Sequence, residues 1–152
     1  MYGGSGTRLS ESHPSSARLV IRLLGTPQVL LDGQMVLSTQ TPKALALLAY
    51  LAVEGDRAHP RSTLAALFWP DAPEAKAHQD LRQVLARLRQ AIGEASAGPA
   101  HLLADARTIH FLSQSSAWLD VATFSGLVDS TERHPHRRLA ACRTCLALRP
   151  AT

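Results

Sequence analysis

The first sustained apolar stretch is Arg18-Leu-Val-Ile-Arg-Leu-Leu24, of strand length and closed by Gly25-Thr-Pro27. Gln28-Val-Leu-Leu31 and Gln34-Met-Val-Leu37 read as two more strands around Asp32-Gly33. That pair suits a type I′ hairpin turn, in which both central residues need positive φ. The period changes at Thr41-Pro42, where Thr fits an N-cap and Pro the first helical position. Leu45, Leu48, Ala49 and Ala52 then recur at helical spacing, with Leu47 and Leu51 widening the stripe, and Gly55 predicts the stop. A second, short helix is bounded by Pro60 and Pro70 and carries Leu64, Leu67 and Phe68. A third opens at Asp71-Ala-Pro-Glu74, with Asp71 as the expected cap and Glu74 completing a capping-box-like pair. It runs to Ile92, before Gly93, over the apolar stripe Leu81, Val84, Leu85, Leu88 and Ile92.

After a small-residue linker from Ala95 to Ala100, His101–Ala104 and Thr108–Leu112 predict a hairpin across Asp105-Ala-Arg107. Helical patterning returns from Trp118 to about Val128. A polar stretch, Asp129 to Arg138, then leads to a last short helix ending at Arg149-Pro150. The predicted class is α+β: an N-terminal antiparallel sheet, three helices, a C-terminal hairpin and short appended helices. A short helix, a turn, a longer amphipathic helix and a hairpin are the winged helix-turn-helix order, here in the OmpR-type variant with its preceding sheet. The divisions expected are a disordered tail over 1–17, a winged-helix domain over 18–117 and a helical piece over 118–152.

Composition narrows the partners. A formal net charge of +4 and a sequence pI near 9.7 favour nucleic acid or an anionic membrane surface. No apolar run is long enough to span a bilayer, so no membrane partner is expected. Met1–Ser16 is Gly/Ser-rich without the apolar centre of a signal peptide, and the two cysteines do not form a secreted-type framework; a cytoplasmic location is expected.

The third helix is the candidate reading head, from about Ala72 to Ile92. Opposite its apolar stripe stand Lys76, Gln79, Gln83 and Gln90, with Arg82 and Arg87 on either flank and Arg89 nearer the core. Gln can bond bidentately to adenine and Arg to guanine in a major groove, while marginal Lys and Arg meet phosphates. Arg61, opening the second helix, and Arg107, in the hairpin turn, complete the candidate DNA-binding set; an Arg in such a turn can enter the adjacent minor groove. Such a face is also what any solvated helix carries, and it is the order of elements that favours DNA.

A second cluster is His134-Pro-His136 with Cys142-Arg-Thr-Cys145. Two readings fit it. One is a tetrahedral zinc site with a Cys-x-x-Cys half; the other is two surface histidines and two thiols packed on a helix beside Leu139 and Leu146. Apart from that zinc, no cofactor is expected. No Gly-rich phosphate loop, placed carboxylate pair or nucleophile elbow occurs, so no enzyme is expected.

The segments Leu23-Leu-Gly-Thr-Pro27, Asp32-Gly33, Lys43-Ala-Leu-Ala-Leu-Leu-Ala-Tyr-Leu-Ala52, Arg61-Ser-Thr-Leu64, Leu67-Phe-Trp-Pro-Asp71 and Leu81-Arg-Gln-Val-Leu-Ala-Arg-Leu-Arg89 occur in that order. Together they resemble the DNA-binding domain of SARP-type bacterial transcriptional activators, over about Leu19 to Leu119. These join an OmpR-type winged helix to a helical bacterial transcriptional activation domain (BTAD). Leu119-Asp-Val-Ala-Thr-Phe124 resembles the start of that second domain, so the expectation for 118–152 is a truncated BTAD. The resemblance implies double-stranded DNA as partner, two copies on direct repeats, and recruitment of RNA polymerase. In one departure, the family's Asn before Leu-Arg is Asp80 here. A carboxylate repels phosphates, and pairing with Lys76 or Arg87 is expected to offset it. The competing readings are a protein-interaction module that does not bind DNA and docks through Trp118, Leu119, Phe124, Leu127 and Val128, an apolar set left without its covering helices, or a non-functional truncated fragment of such a regulator.

Overall fold

Three strands open the computed structural model, which describes residues 17–94, 100–112 and 116–133. They are β1 (Leu19–Arg22), β2 (Gln28–Leu31) and β3 (Gln34–Leu37), paired antiparallel in the order expected. At the β2–β3 turn, Asp32 has φ 48° and Gly33 has φ 81°, the two positive angles a type I′ turn demands. Three helices follow: α1 (Pro42–Val53), α2 (Arg61–Phe68) and α3 (Glu74–Ala91). Then come the hairpin strands β5 (Leu102–Ala104) and β6 (Thr108–Phe111). The class is α+β, as the sequence predicts.

Two strands are additions to the sequence reading. β4 (His59–Pro60) pairs with β6, making a three-stranded sheet in the order β4-β6-β5. β7 (Ala117–Leu119) lies parallel to β1, with Val20 opposite Trp118 and Ile21 opposite Leu119. The first sheet therefore has the order β3-β2-β1-β7. The helix expected from Trp118 begins only at Asp120, as α4 (Asp120–Glu132), and it extends into the stretch expected to be a polar connection. Strand pairing takes Trp118 and Leu119 because β1 would otherwise leave one side of its backbone without partners.

Two of the expected caps are corrected. α3 starts after Pro73, not at Asp71, and no side chain caps it. Pro73 disfavours helical angles at Ala72, so Ala72 stays outside the helix. Glu74 is then in the first turn, where a carboxylate suits the helix dipole, and not at the third position of a capping box. Thr41 precedes α1 without capping it; its Oγ1 accepts from the Ser38 N–H at 3.1 Å and donates to the Ser38 carbonyl at 3.0 Å.

One core joins both sheets and three helices. Leu19, Ile21 and Val29 from the first sheet pack with Leu47, Leu48 and Leu51 of α1, Leu64 of α2, Leu81 and Leu88 of α3, and Ile109 of β6; all ten are 0% exposed. At roughly 1.5–3 kcal/mol per buried aliphatic side chain, this cluster is the main source of stability. Because Ala77, Leu81, Leu85 and Leu88 face inward, the opposite side of α3 must face solvent.

Polar contacts fix the corners. The Asp120 carboxylate, at the start of α4, accepts from the backbone N–H groups of Leu23 (2.9 Å), Leu24 (2.9 Å) and Val121 (2.8 Å). It so ties α4 to the end of β1. No residue of α4 is itself buried. The His59 and His110 imidazoles donate through Nε2 to the carbonyls of Glu54 (2.9 Å) and Gly55 (3.2 Å), which otherwise lie without partners among the described residues past the end of α1. Among the described residues, no helix is long and apolar enough to cross a membrane.

Candidate nucleic-acid interface

The exposed side of α3 carries every residue the sequence places there. Lys76, Gln79, Arg82, Gln83, Arg87 and Gln90 are all exposed. The polar face is a direct result of the buried stripe, since 3.6-residue periodicity puts the two on opposite sides. Asp80 is taken up by Lys76, with Nζ 2.5 Å from Oδ1. The acid is thus neutralised one turn away on its own helix, at the cost of occupying Lys76.

Beside this face lies the β5–β6 hairpin, and its position is built from residues distant in sequence. The Arg61 N–H donates to the Arg107 carbonyl at 2.8 Å, and Arg61 Nε donates to the Asp105 carbonyl at 2.8 Å. The start of α2 therefore holds the hairpin tip. Within the tip, Asp105 Oδ1 accepts from the N–H groups of Arg107 and Thr108, both at 2.7 Å, and Oδ2 accepts from the Thr108 hydroxyl at 3.1 Å. These donors, the Thr108 N–H first and the Arg107 N–H next, hold the Asp105 carboxyl below its usual range. The carboxylate is spent on the turn, while Arg107 itself stays exposed.

The root of the hairpin is held to the end of α3. Gly93, at φ 78°, reverses the chain, and a Cβ there would come within 3.0 Å of Leu31 Cδ2. Glu94 follows, its side chain only 9% exposed. Its Oε1 accepts from the N–H groups of His101 (2.6 Å) and Leu102 (2.5 Å). Arg89 Nε stands 3.3 Å from Oε2 in ion-pair rather than hydrogen-bond geometry, and an Nη of Arg89 donates to the Leu102 carbonyl at 3.3 Å. His101 is buried, and its Nδ1 has no hydrogen-bond partner among the described residues. Burial pushes this imidazole below the ordinary histidine range; Glu94 opposes that shift and Arg18 adds to it.

Between α3 and the hairpin runs a basic groove. One section of about 800 Å³ is lined by Arg61, Arg82, Arg89 and Gln90 among others, and Ala86 leaves it open. An adjoining section of about 450 Å³ lies among Arg61, His78, Arg82 and Ala106. The structure thus brings Arg61 and Arg82 together in the groove, and Arg61 holds the Arg107 carbonyl at the hairpin tip. Arg87 and Lys76 lie along the other flank of α3, with Gln79, Gln83 and Gln90 between.

Sequence reasoning passed over His78 and Glu94. His78 shares the groove-side flank with Arg82, four residues on, a spacing that was readable; the role of Glu94 depends on a contact across the linker and was not. His134, His136, Cys142 and Cys145, the candidate zinc ligands, lie outside the described residues. Among the described residues, no three His, Cys, Asp or Glu side chains gather so as to hold a metal ion.

Compared with known proteins, the chain matches no family model and no curated protein.

Proposed function

We propose that this chain is a sequence-specific reader of double-stranded DNA with a winged-helix architecture, acting as a transcriptional regulator and not as an enzyme. One observation carries the reading. The exposed face of α3 bears three glutamines and flanking cations, and the flank nearer the hairpin borders a groove lined by arginines. In this reading α3 lies in the major groove. Gln79 and Gln83, in its N-terminal half, meet base edges; Arg82 and Arg87 meet phosphates on either side. The β5–β6 hairpin is the wing, with Arg107 at its tip directed to the neighbouring minor groove. The Arg61 clamp supports this, because it ties the tip to the start of α2 at a defined place.

The resemblance to SARP-type activators extends the proposal to a cytoplasmic bacterial regulator that pairs on direct repeats and helps recruit RNA polymerase. In that scheme β7 and α4 lead from the reader into the activation domain. Zinc bound by His134, His136, Cys142 and Cys145 remains a separate proposal, tested by metal analysis of the purified chain.

The test is a salt-series titration against random and promoter-enriched duplexes. A reader loses affinity steeply as salt rises, with a slope of roughly −0.9 per phosphate neutralised, and favours some duplexes over random DNA. Absence of binding at low salt refutes the proposal. A second reading, a protein-docking module, is favoured by α4, where Phe124 is 55% and Val128 36% exposed and nothing described covers them.

A further inference from the structure

We propose that His78 completes, with Arg61 and Arg82, a proton-linked seat for a DNA backbone phosphate. The inference rests on the DNA-binding reading above and deepens it. The seat is the 450 Å³ cleft where α2, α3 and the hairpin tip meet, lined by Arg61, His78, Arg82 and Ala106.

Three observations place an anion there. First, Arg61 is held by its backbone and Nε to the hairpin tip, so its guanidinium stays at the cleft wall while its Nη groups engage no described residue. Second, Arg82 also has no hydrogen-bonding or ion-pair partner among the described residues, although it lines both sections of the groove. Third, the acid of the hairpin turn, Asp105, spends its carboxylate hydrogen bonds on the Arg107 and Thr108 N–H groups and the Thr108 hydroxyl, and none on either guanidinium group. Neither guanidinium group therefore has a counter-charge in contact among the described residues, although the Asp105 carboxylate attracts Arg61 from the turn. A phosphodiester supplies that counter-charge, and guanidinium groups match its oxygens in charge and geometry.

His78 adds the proton linkage. It lies one turn before Arg82 on the same flank of α3. The charged groups facing it are Glu74 on its own helix, with Oε1 3.9 Å from Nε2, Arg82 on that helix, Arg61 from α2, and Asp105 and Arg107 in the hairpin turn that Ala106 brings to the cleft. A third positive charge beside two guanidinium groups is stabilised when a phosphate sits in the cleft. By reciprocity, the protonated imidazole tightens the phosphate contact by the same factor. Imidazoles change charge between pH 5 and 8, so DNA affinity should rise as pH falls through that range.

The experiment measures binding of fluorescent selected and random duplexes by anisotropy, over a salt series at about pH 6 and about pH 8, for the wild type, His78→Gln and His78→Lys. In the wild type, affinity should rise roughly three- to tenfold from the higher pH to the lower. H78Q should lose most of that pH dependence, and H78K should bind at the higher pH as the wild type does at the lower. The gain should appear on both duplex classes, since a phosphate contact is blind to sequence. Thermal melts of the free proteins show whether each variant is folded, and H78K guards against a defect confined to H78Q. Binding by the wild type with no pH dependence, or with the same dependence retained in H78Q, overturns the proton-linked seat and leaves the DNA reading intact. Absence of wild-type binding at both pH values and all salt concentrations overturns the DNA reading, and the seat with it.

Discussion

Replacing Glu94 with Ala tests whether the hairpin is held to the end of α3 by one carboxylate. The two N–H groups that converge on Oε1 belong to His101 and Leu102, which are 1% and 2% exposed. An unpartnered buried donor costs about 1–3 kcal/mol, so two cost about 2–6 kcal/mol. The open groove alongside admits water, which places the loss near the lower end, about 3 kcal/mol. Arg89 is 39% exposed and rehydrates when its partner is gone, so it adds little. For a domain of this size each kcal/mol moves Tm by roughly 4–8 °C, giving a fall of roughly 12–24 °C. Urea unfolding and thermal melts followed by circular dichroism measure both quantities. Glu94→Gln separates the causes, because an amide oxygen can still accept both N–H groups while the negative charge is lost; E94Q should show less than half the loss of E94A. The reasoning is refuted if E94A lies within about 0.5 kcal/mol of the wild type, the range of an ordinary surface change. It is equally refuted if E94Q is as damaging as E94A, for the ion pair with Arg89 would then be the contact that matters.

Gln83→Ala should weaken preference at one base position, whereas Arg87→Ala should lower affinity across all duplexes and reduce the salt slope by about 0.9; equal loss on every duplex for Gln83→Ala would sink the base-reading role. Stability should depend on pH through His101. Its folded form resists protonation, so stability is complete above the unfolded histidine value of about 6.5 and falls as pH drops below it, until the folded form also titrates. Urea midpoints from about pH 7.5 to 5.5 measure this, and His101→Gln should flatten the slope; a wild type more stable at the acid end contradicts it. Asp120→Ala should cost about 1–2 kcal/mol, because water can reach the released Leu23 and Leu24 N–H groups, and hydrogen exchange at those two amides should quicken. Unchanged protection there would mean that α4 is tied to β1 by something other than this carboxylate.

The features legible from the chain alone are local. The periods of Leu45–Ala52 and Leu81–Ile92 established two helices and the inward side of each, because a helical stripe must be buried and its opposite side then meets solvent. Asp32-Gly33 marked its turn because few other residues accept two positive φ angles. The exposed set on α3 was legible for the same reason as its buried stripe. The tertiary structure decided what depends on partners far apart in the chain. Ala117–Leu119 forms a strand only because β1 offers a free edge, and three residues are too few to carry a period. Pro60 extends the hairpin sheet only because β6 comes to lie beside it. The groove exists because Arg61 grips the Asp105 and Arg107 carbonyls and Glu94 grips the His101 and Leu102 N–H groups. A sequence shows which groups can donate and accept, but only the packed chain decides which of them meet, because pairing over long separations is set by how the apolar faces fit together.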